Sequence, residues 1–318
     1  MPASLDIIIP TYNRAAYLRK NLELLDQQYR ALEGAPPVRI IVSDNASPDN
    51  TLEALEQARL FLAMHLTVLQ SERNEGPERN VVKVVAASNA DYVMYLGDDD
   101  YLPEGYLQYV VNALIQKTPG CIIPGCSNLY PDGSLVPFRG GKAEEWPAGF
   151  RAILRLSHYG HQLSGLVFKR AEVLPLYLAD DRLRNLYPYI FFLGYNLMRS
   201  GGLFVPQYKV SITQNNTKHW TYDSNGLAAH VFRNYEILFG SPSLRGIVCC
   251  LRFIWLQSWR LNSGPVKKFV HAWVSFLGDS TLSRSVRIAV LLFCPVIVAK
   301  GFLGSAVRRL KGAKAGAM

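Results

Sequence analysis

Three consecutive carboxylates, Asp98, Asp99 and Asp100, interrupt the run "YVMYLGDDDYLPEGYL" between Tyr92 and Leu107. Like charges packed this closely repel, so they call for a positive partner. Oxygen donors of this kind suit Mg²⁺ or Mn²⁺, which proteins usually hold with one or two carboxylates while substrate phosphates fill the rest of the shell. A solvated acidic turn has the same composition. Position separates the two, because the triplet follows an apolar run and precedes a helical one. Asp44 stands in the same relation to "VRIIVSD" (38–44), where it can accept hydrogen bonds from a base or ribose. "PTYNR" (10–14) closes "LDIIIP" with a turn whose backbone and Asn13 can hold the same ligand, and Arg79 can meet a phosphate or one of the three carboxylates.

The elements that must position these groups alternate along residues 1–115. "LDIIIP" (5–10), "VRIIVSD" (38–44), "LTVLQS" (66–71) and "YVMYL" (92–96) are short, predominantly apolar strand runs. Between the first two, Leu18, Leu22, Leu25 and Tyr29 recur at helical spacing. Ser47 followed by Pro48 predicts a helix start, with Leu52, Leu55 and Leu62 on its inner face, and Pro77 opens a third helix. Pro103 predicts the start of a fourth, with Tyr106, Val110 and Leu114 inward. Apolar strands alternating with helices predict an α/β fold with a mostly parallel sheet covered on both faces. Ligands of such sheets bind beyond the carboxyl ends of the strands, where Asp44 and the triplet fall. Residues 120–225 are richer in glycine, proline and aromatics, with strands expected at 163–170 and 203–213. From 226 the pattern turns helical.

Four stretches in order, "IIIPTYNR", "IIVSDNASPDNT", "NEGPERN" and "YVMYLGDDDYLPEGYL", make residues 5–107 resemble the family-2, GT-A-type glycosyltransferases. The resemblance implies metal-dependent transfer of a sugar from a nucleotide diphosphate to an acceptor hydroxyl, with inversion. It implies a GT-A domain over 1–225, with a donor half at 1–115 and an acceptor half at 116–225, followed by a helical extension over 226–318. Pro10, Thr11, Tyr12, Asn13 and Arg14 would form the nucleotide turn, Asp44 would bind the base and Arg79 would flank the pocket. Asp98 and Asp100 would bracket the metal motif, with Asp100 the main ligand and Asp99 near the ribose. A histidine after the last core strand, His219 in "TKHWTYD", would add a metal ligand, and Trp220 could stack on a sugar.

One part of the family pattern is missing. A Glu-Asp pair is expected at the start of the helix matched by "YIFFLGYNLMRSGG" (189–202), and Tyr189 and Ile190 occupy that place. The nearest upstream carboxylates are Asp180 and Asp181, which become the candidate base. His158 and His161 in "SHYGHQLSG" are other candidates. The missing pair also admits a retaining enzyme on the same scaffold, or a nucleotide-sugar-binding scaffold protein without transfer. A nucleotidyltransferase would want a phosphate loop after the first strand, and "PTYNRAAY" lacks its glycines.

Composition bounds the setting. Hydrophobic residues make up 49% and charged residues 19% of 318, which excludes a disordered chain. Five cysteines without a CxxC pair argue against a disulfide framework or a zinc site, and the absence of a leader pattern predicts a cytoplasmic protein. The net charge is +9, and Asp279 is the last acid before a basic tail. That tail also holds "IAVLLFCPVIVA" (288–299), too short to span a bilayer and expected to be broken at Pro295. Basic residues on both sides predict peripheral docking on the inner face of the cell membrane, within reach of a lipid-linked acceptor in O-antigen or capsule synthesis. No nucleic-acid-binding motif accompanies the charge.

Overall fold

A computed structural model describes residues 3–32, 37–181, 185, 187–214, 226–258 and 277–315. The chain forms two compact units, Met1–His219 and Trp220–Met318.

The first unit is built on a nine-stranded sheet. Its first half follows the apolar runs: β1 (Leu5–Thr11), β2 (Val38–Asp44), β3 (His65–Gln70) and β4 (Tyr92–Tyr95). They lie in the order β3-β2-β1-β4 and pair in parallel. The chain thus moves outward from β1 to β3 and then returns to the other side of β1. That reversal leaves a crevice beyond the carboxyl ends of β1 and β4, the usual ligand position in such sheets. Helices α1 (Ala15–Arg30), α2 (Thr51–Phe61) and α3 (Pro77–Ala87) make the crossovers, and α4 (Tyr106–Gln116) follows β4. Leu18, Leu22 and Leu25 of α1 and Tyr106, Val110 and Leu114 of α4 are buried in one core with Ile7, Ile9 and Val42. Each such side chain contributes about 1.5–3 kcal/mol relative to exposure.

The sheet continues with β5 (Cys121–Leu129), β6 (Leu135–Arg139), β7 (Glu144–Trp146), β8 (Val167–Lys169) and β9 (Gly202–Thr213). Here β8 runs antiparallel between β4 and β5, β9 runs parallel to β5, and β6 and β7 add antiparallel edges. Three helices, α5 (Phe150–Leu156), α6 (Val173–Ala179) and α7 (Pro188–Ser200), accompany this half.

Two helix starts differ from expectation. Helix α2 begins at Thr51, not at Ser47, because the Ser47 hydroxyl is spent on Asp44. Helix α4 begins three residues after Pro103, since Gly105 adopts a left-handed conformation with φ 75°.

In the second unit, α8 (Gly226–Phe239), α9 (Leu244–Leu256) and α10 (Arg284–Ala315) are described. Phe232 and Tyr235, Cys250 and Phe253, and Val290 and Ile297 are among their buried residues. Pro295 lies inside α10 and does not end it, contrary to expectation. Among the described residues, no helix is long and apolar enough to cross a membrane.

Candidate active site

The turn after β1, the loop after β2 and the triplet after β4 are tied together at one sheet edge. The Thr11 hydroxyl donates to Asp98 Oδ2 at 2.7 Å. The Tyr12 backbone N–H donates to the same carboxylate, and Arg14, itself buried, lies near enough to favour its charge. These contacts only partly offset burial and the adjacent Asp99, which together push Asp98 up to about 7. Beside them, Asp44 is fully buried. It accepts from the Ser47 N–H at 3.2 Å and from the Ser47 hydroxyl. Ser47 Oγ in turn accepts from the Asn13 N–H at 2.8 Å. The chain Asp44–Ser47–Asn13 therefore joins the two loops. It holds Asn13 at φ 57° and Ala46 at φ 59°, left-handed conformations that are uncommon without glycine. Asn80, from "NEGPERN", extends its amide between the carbonyls of Thr11 (3.3 Å) and Ser43 (3.0 Å).

Asp100 is held differently from its neighbours. It is buried, its Oδ1 accepts from the Thr213 N–H at 3.1 Å, and its Oδ2 accepts from the Ser164 hydroxyl. Ser164 Oγ also accepts from the Gly97 N–H at 3.0 Å, and the Thr213 hydroxyl donates to the Asp99 carbonyl. From below, the Asn21 amide of α1 donates to the carbonyls of Gly97 and Asp100, both at 2.9 Å. A Cβ at Gly97 would stand 2.9 Å from Asp100 Oδ2 and 3.1 Å from Ser164 Oγ, so this position has no room for a side chain while the latch is closed. Asn21, Ser164 and Thr213 were not foreseen from sequence. Asn21→Leu strands the buried Asp100 carbonyl and the half-buried Gly97 carbonyl, a loss of about 1–3 kcal/mol. Urea unfolding is expected to show it as a lower midpoint with an unchanged slope.

The metal question rests on this donor set. Among the described residues, no three His, Cys, Asp or Glu side chains form a ready cage. Asp98 and Asp99, half-buried and adjacent, instead offer hard oxygen donors beside an open crevice. That fits a Mg²⁺ or Mn²⁺ ion that takes part of its shell from a diphosphate. Asp100 has both oxygens engaged by the protein. His219 and Trp220 lie outside the described residues.

Arg79 is exposed in the first turn of α3. At the other end of the site, Tyr189 and Ile190 are fully buried at the start of α7. The Tyr189 ring packs edge-on against Tyr95 at 4.9 Å, and burial holds its hydroxyl well above the usual range. The turn Ser157–His161 presses on that helix start: a Cβ at Gly160 would lie 2.8 Å from the Tyr189 carbonyl. His158 is buried in this turn against Tyr159, and His161 Nδ1 contacts the His158 carbonyl at 2.6 Å. Asp180 ends α6 half-buried, and Asp181 is exposed.

Known proteins resemble this chain in sequence and in fold. Residues 6–155 match the model of glycosyl transferase family 2. The abequosyltransferase RfbV of Salmonella typhimurium is 27% identical over 199 residues, 58% of this chain and 58% of that protein. A Campylobacter jejuni GalNAc(5)-diNAcBac-PP-undecaprenol beta-1,3-glucosyltransferase is 29% identical over 126 residues, 36% of this chain and 39% of that protein. The alignments thus span less than two thirds of either relative. Among solved structures, residues 1–349 of S. aureus TarS in complex with UDP-GlcNAc superpose with a TM-score of 0.63 at 16% identity, covering 94% of this chain and 89% of that one. The mannosyltransferase PcManGT from Pyrobaculum calidifontis, in complex with GDP-Man and Mn²⁺, gives 0.55 at 16% identity, over 94% and 81%. At such identities the superpositions speak for the fold, a GT-A-type α/β sheet. Over residues 6–155, the part that carries the aspartate triplet and the Asp44 loop, this chain is similar to glycosyl transferase family 2.

Proposed function

We propose that the protein transfers a sugar from a nucleoside-diphosphate donor to a hydroxyl of a lipid-linked glycan during cell-surface polysaccharide synthesis, at the inner face of the cell membrane. The observation that carries this reading is the hydrogen-bonded convergence of Asp44, the Thr11–Arg14 turn and Asp98 on the crevice beyond β1 and β4. The acceptor and the setting draw on the relatives, one of which is named for an undecaprenol-linked glycan.

In this reading the Asp44 loop and residues Pro10–Asn13 hold the nucleoside, and Arg14 and Arg79 lie toward the diphosphate. Asp98 and Asp99 would hold a divalent cation, while Asp100, expected from sequence as the main ligand, is engaged by Ser164 and Thr213 and would fix the loop that presents them. A bound cation neutralises charge developing on the leaving diphosphate. An acceptor hydroxyl bonds to the anomeric carbon as the electron pair of the old bond leaves with the nucleoside diphosphate. Its proton passes to a carboxylate, for which Asp181 and Asp180 are assigned. The uncharged start of α7 favours a second reading, a retaining transferase on the same scaffold. The anomeric configuration of the product, read by NMR, separates the two.

A thermal-shift screen of nucleotide sugars with and without Mn²⁺ tests the donor site. At 100 times its Kd a donor adds about 2.7 kcal/mol. The expected result is a rise in Tm that requires both donor and Mn²⁺. No rise with any donor would remove the transferase reading.

A further inference from the structure

Helix α10 is apolar on two opposite sides. Val286, Val290 and Ile297 are buried, as an amphipathic helix requires. On the opposite side Ile288, Leu291, Leu292 and Val296 are 56%, 52%, 74% and 45% exposed. A helix apolar all round is ordinarily covered all round. These four residues fall within little more than two turns and form one contiguous stripe, unlike single surface leucines that need no explanation.

The surroundings indicate what covers the stripe. On α9, Trp255 is 40% exposed. Its ring lies 6.5 Å from that of Phe293, with Lys300 Nζ 4.0 Å from its centroid. An aromatic ring half in solvent beside a lysine is the arrangement found at the level of lipid headgroups. Charge points the same way. After Asp279 there is no acidic residue, whereas Arg284, Arg287, Lys300, Arg308, Arg309, Lys311 and Lys314 follow. A protein partner of unspecified charge does not account for so one-sided a segment; an anionic surface does. The run 288–299 rises about 18 Å at 1.5 Å per residue, short of a bilayer's roughly 30 Å core, so the helix would lie in the interface plane.

We propose that the stripe Ile288, Leu291, Leu292 and Val296 of α10 is a docking face for an anionic phospholipid surface. The proposal deepens the reading of a membrane-side transferase, and it names the segment by which the chain reaches its lipid-linked acceptor.

The test is co-sedimentation of the full-length protein with vesicles of phosphatidylcholine alone or with 30% phosphatidylglycerol added (about one anionic lipid in three, enough to set a negative surface potential). The wild type is expected to sediment with the anionic vesicles, less so in high salt, and weakly with the neutral ones. Exchanging two stripe residues for charge, Ile288→Glu with Leu292→Glu, removes two apolar groups from lipid and is expected to weaken binding by at least about tenfold. An unchanged Tm and an unchanged donor-induced Tm shift in the variant show that the fold and the donor site survive. Those readouts also separate a failure here from a failure of the transferase reading. Wild-type protein that ignores anionic vesicles would overturn the proposal, as would a double variant that binds them as before. So would gel filtration showing a dimer that the variant dissociates without any lipid binding, which would make the stripe an interface between copies of the chain.

Discussion

Asp99→Asn is expected to lower the rate of sugar transfer by roughly 10²–10³-fold without loosening the fold. A cation fixed against a leaving diphosphate stabilises the transition state by several kcal/mol, and each 1.36 kcal/mol is a factor of ten. Asparagine keeps the shape of Asp99 but removes its charge, leaving Asp98 to hold the ion. The main chain there stays in place, because the Thr213 hydroxyl grips the Asp99 carbonyl, not its carboxylate. Melting without metal should even rise slightly. Asp99 is one of the two causes that push Asp98 up to about 7, and that repulsion disappears in the variant. A gain in stability with a loss of turnover is what a charged functional site gives up when it is neutralised. Asp100→Asn should behave in the opposite sense. It disturbs the acceptors of the Thr213 N–H and the Ser164 hydroxyl, so the apo protein melts earlier. Activity at wild-type level in Asp99→Asn would remove it from the metal site. An Asp100→Asn protein with native Tm but no response to Mn²⁺ would move the main ligand to Asp100.

The contrast between these two neighbours was not legible in the sequence, and the reason is physical. Three identical side chains in a row differ only by what the fold brings to each. Asp98 meets Thr11 from 87 residues away, and Asp100 meets Thr213 from 113 residues away. What could be read was the edge they share. The strands β1, β2 and β4 are dominated by apolar residues because both faces of a parallel sheet are covered. Their carboxyl ends therefore predict where Thr11, Asp44 and Asp98 go. In the second half of the sheet only β8 and β9 were signalled, by the runs at 163–170 and 203–213. Pro124 and Gly125 interrupt β5 at a register shift, and β7 is three residues long. Asn21 did leave a trace. It lies three residues after Leu18 and four before Leu25, so a polar residue sits on the buried face of α1. A buried amide on such a face needs partners, and the two carbonyls of the aspartate loop supply them. The absent acids at Tyr189 and Ile190 were legible, and the tight packing of Ser157–His161 on that helix start accounts for their apolar character.

Asp44→Ala is expected to weaken donor binding by about 10–100-fold and to lower stability as well. A hydrogen bond from a ligand to a charged group contributes about 1.5–3 kcal/mol, which is the source of that range. The further cost comes from the chain Asp44–Ser47–Asn13. Without the carboxylate, the half-buried Ser47 N–H and hydroxyl lose their acceptor, and the link from Ser47 to the Asn13 N–H loses its anchor. Asn13 and Ala46 would then be released from left-handed conformations that cost about 1–3 kcal/mol each to hold. The turn after β1 that should cradle the nucleoside would open in the same step. Asp6 supplies the control. It is as fully buried as Asp44 but sits at the opposite end of β1, where it pairs with Arg39 at 2.8 Å and accepts from the Ser88 hydroxyl at 2.7 Å. Asp6→Asn should lower the urea midpoint and leave donor affinity unchanged. Calorimetric titration of UDP and GDP in the presence of Mn²⁺ reads both variants. Should Asp44→Ala bind the nucleotide as tightly as Asp6→Asn does, the carboxylate at the end of β2 is a structural clasp, and recognition of the nucleoside lies elsewhere along the crevice.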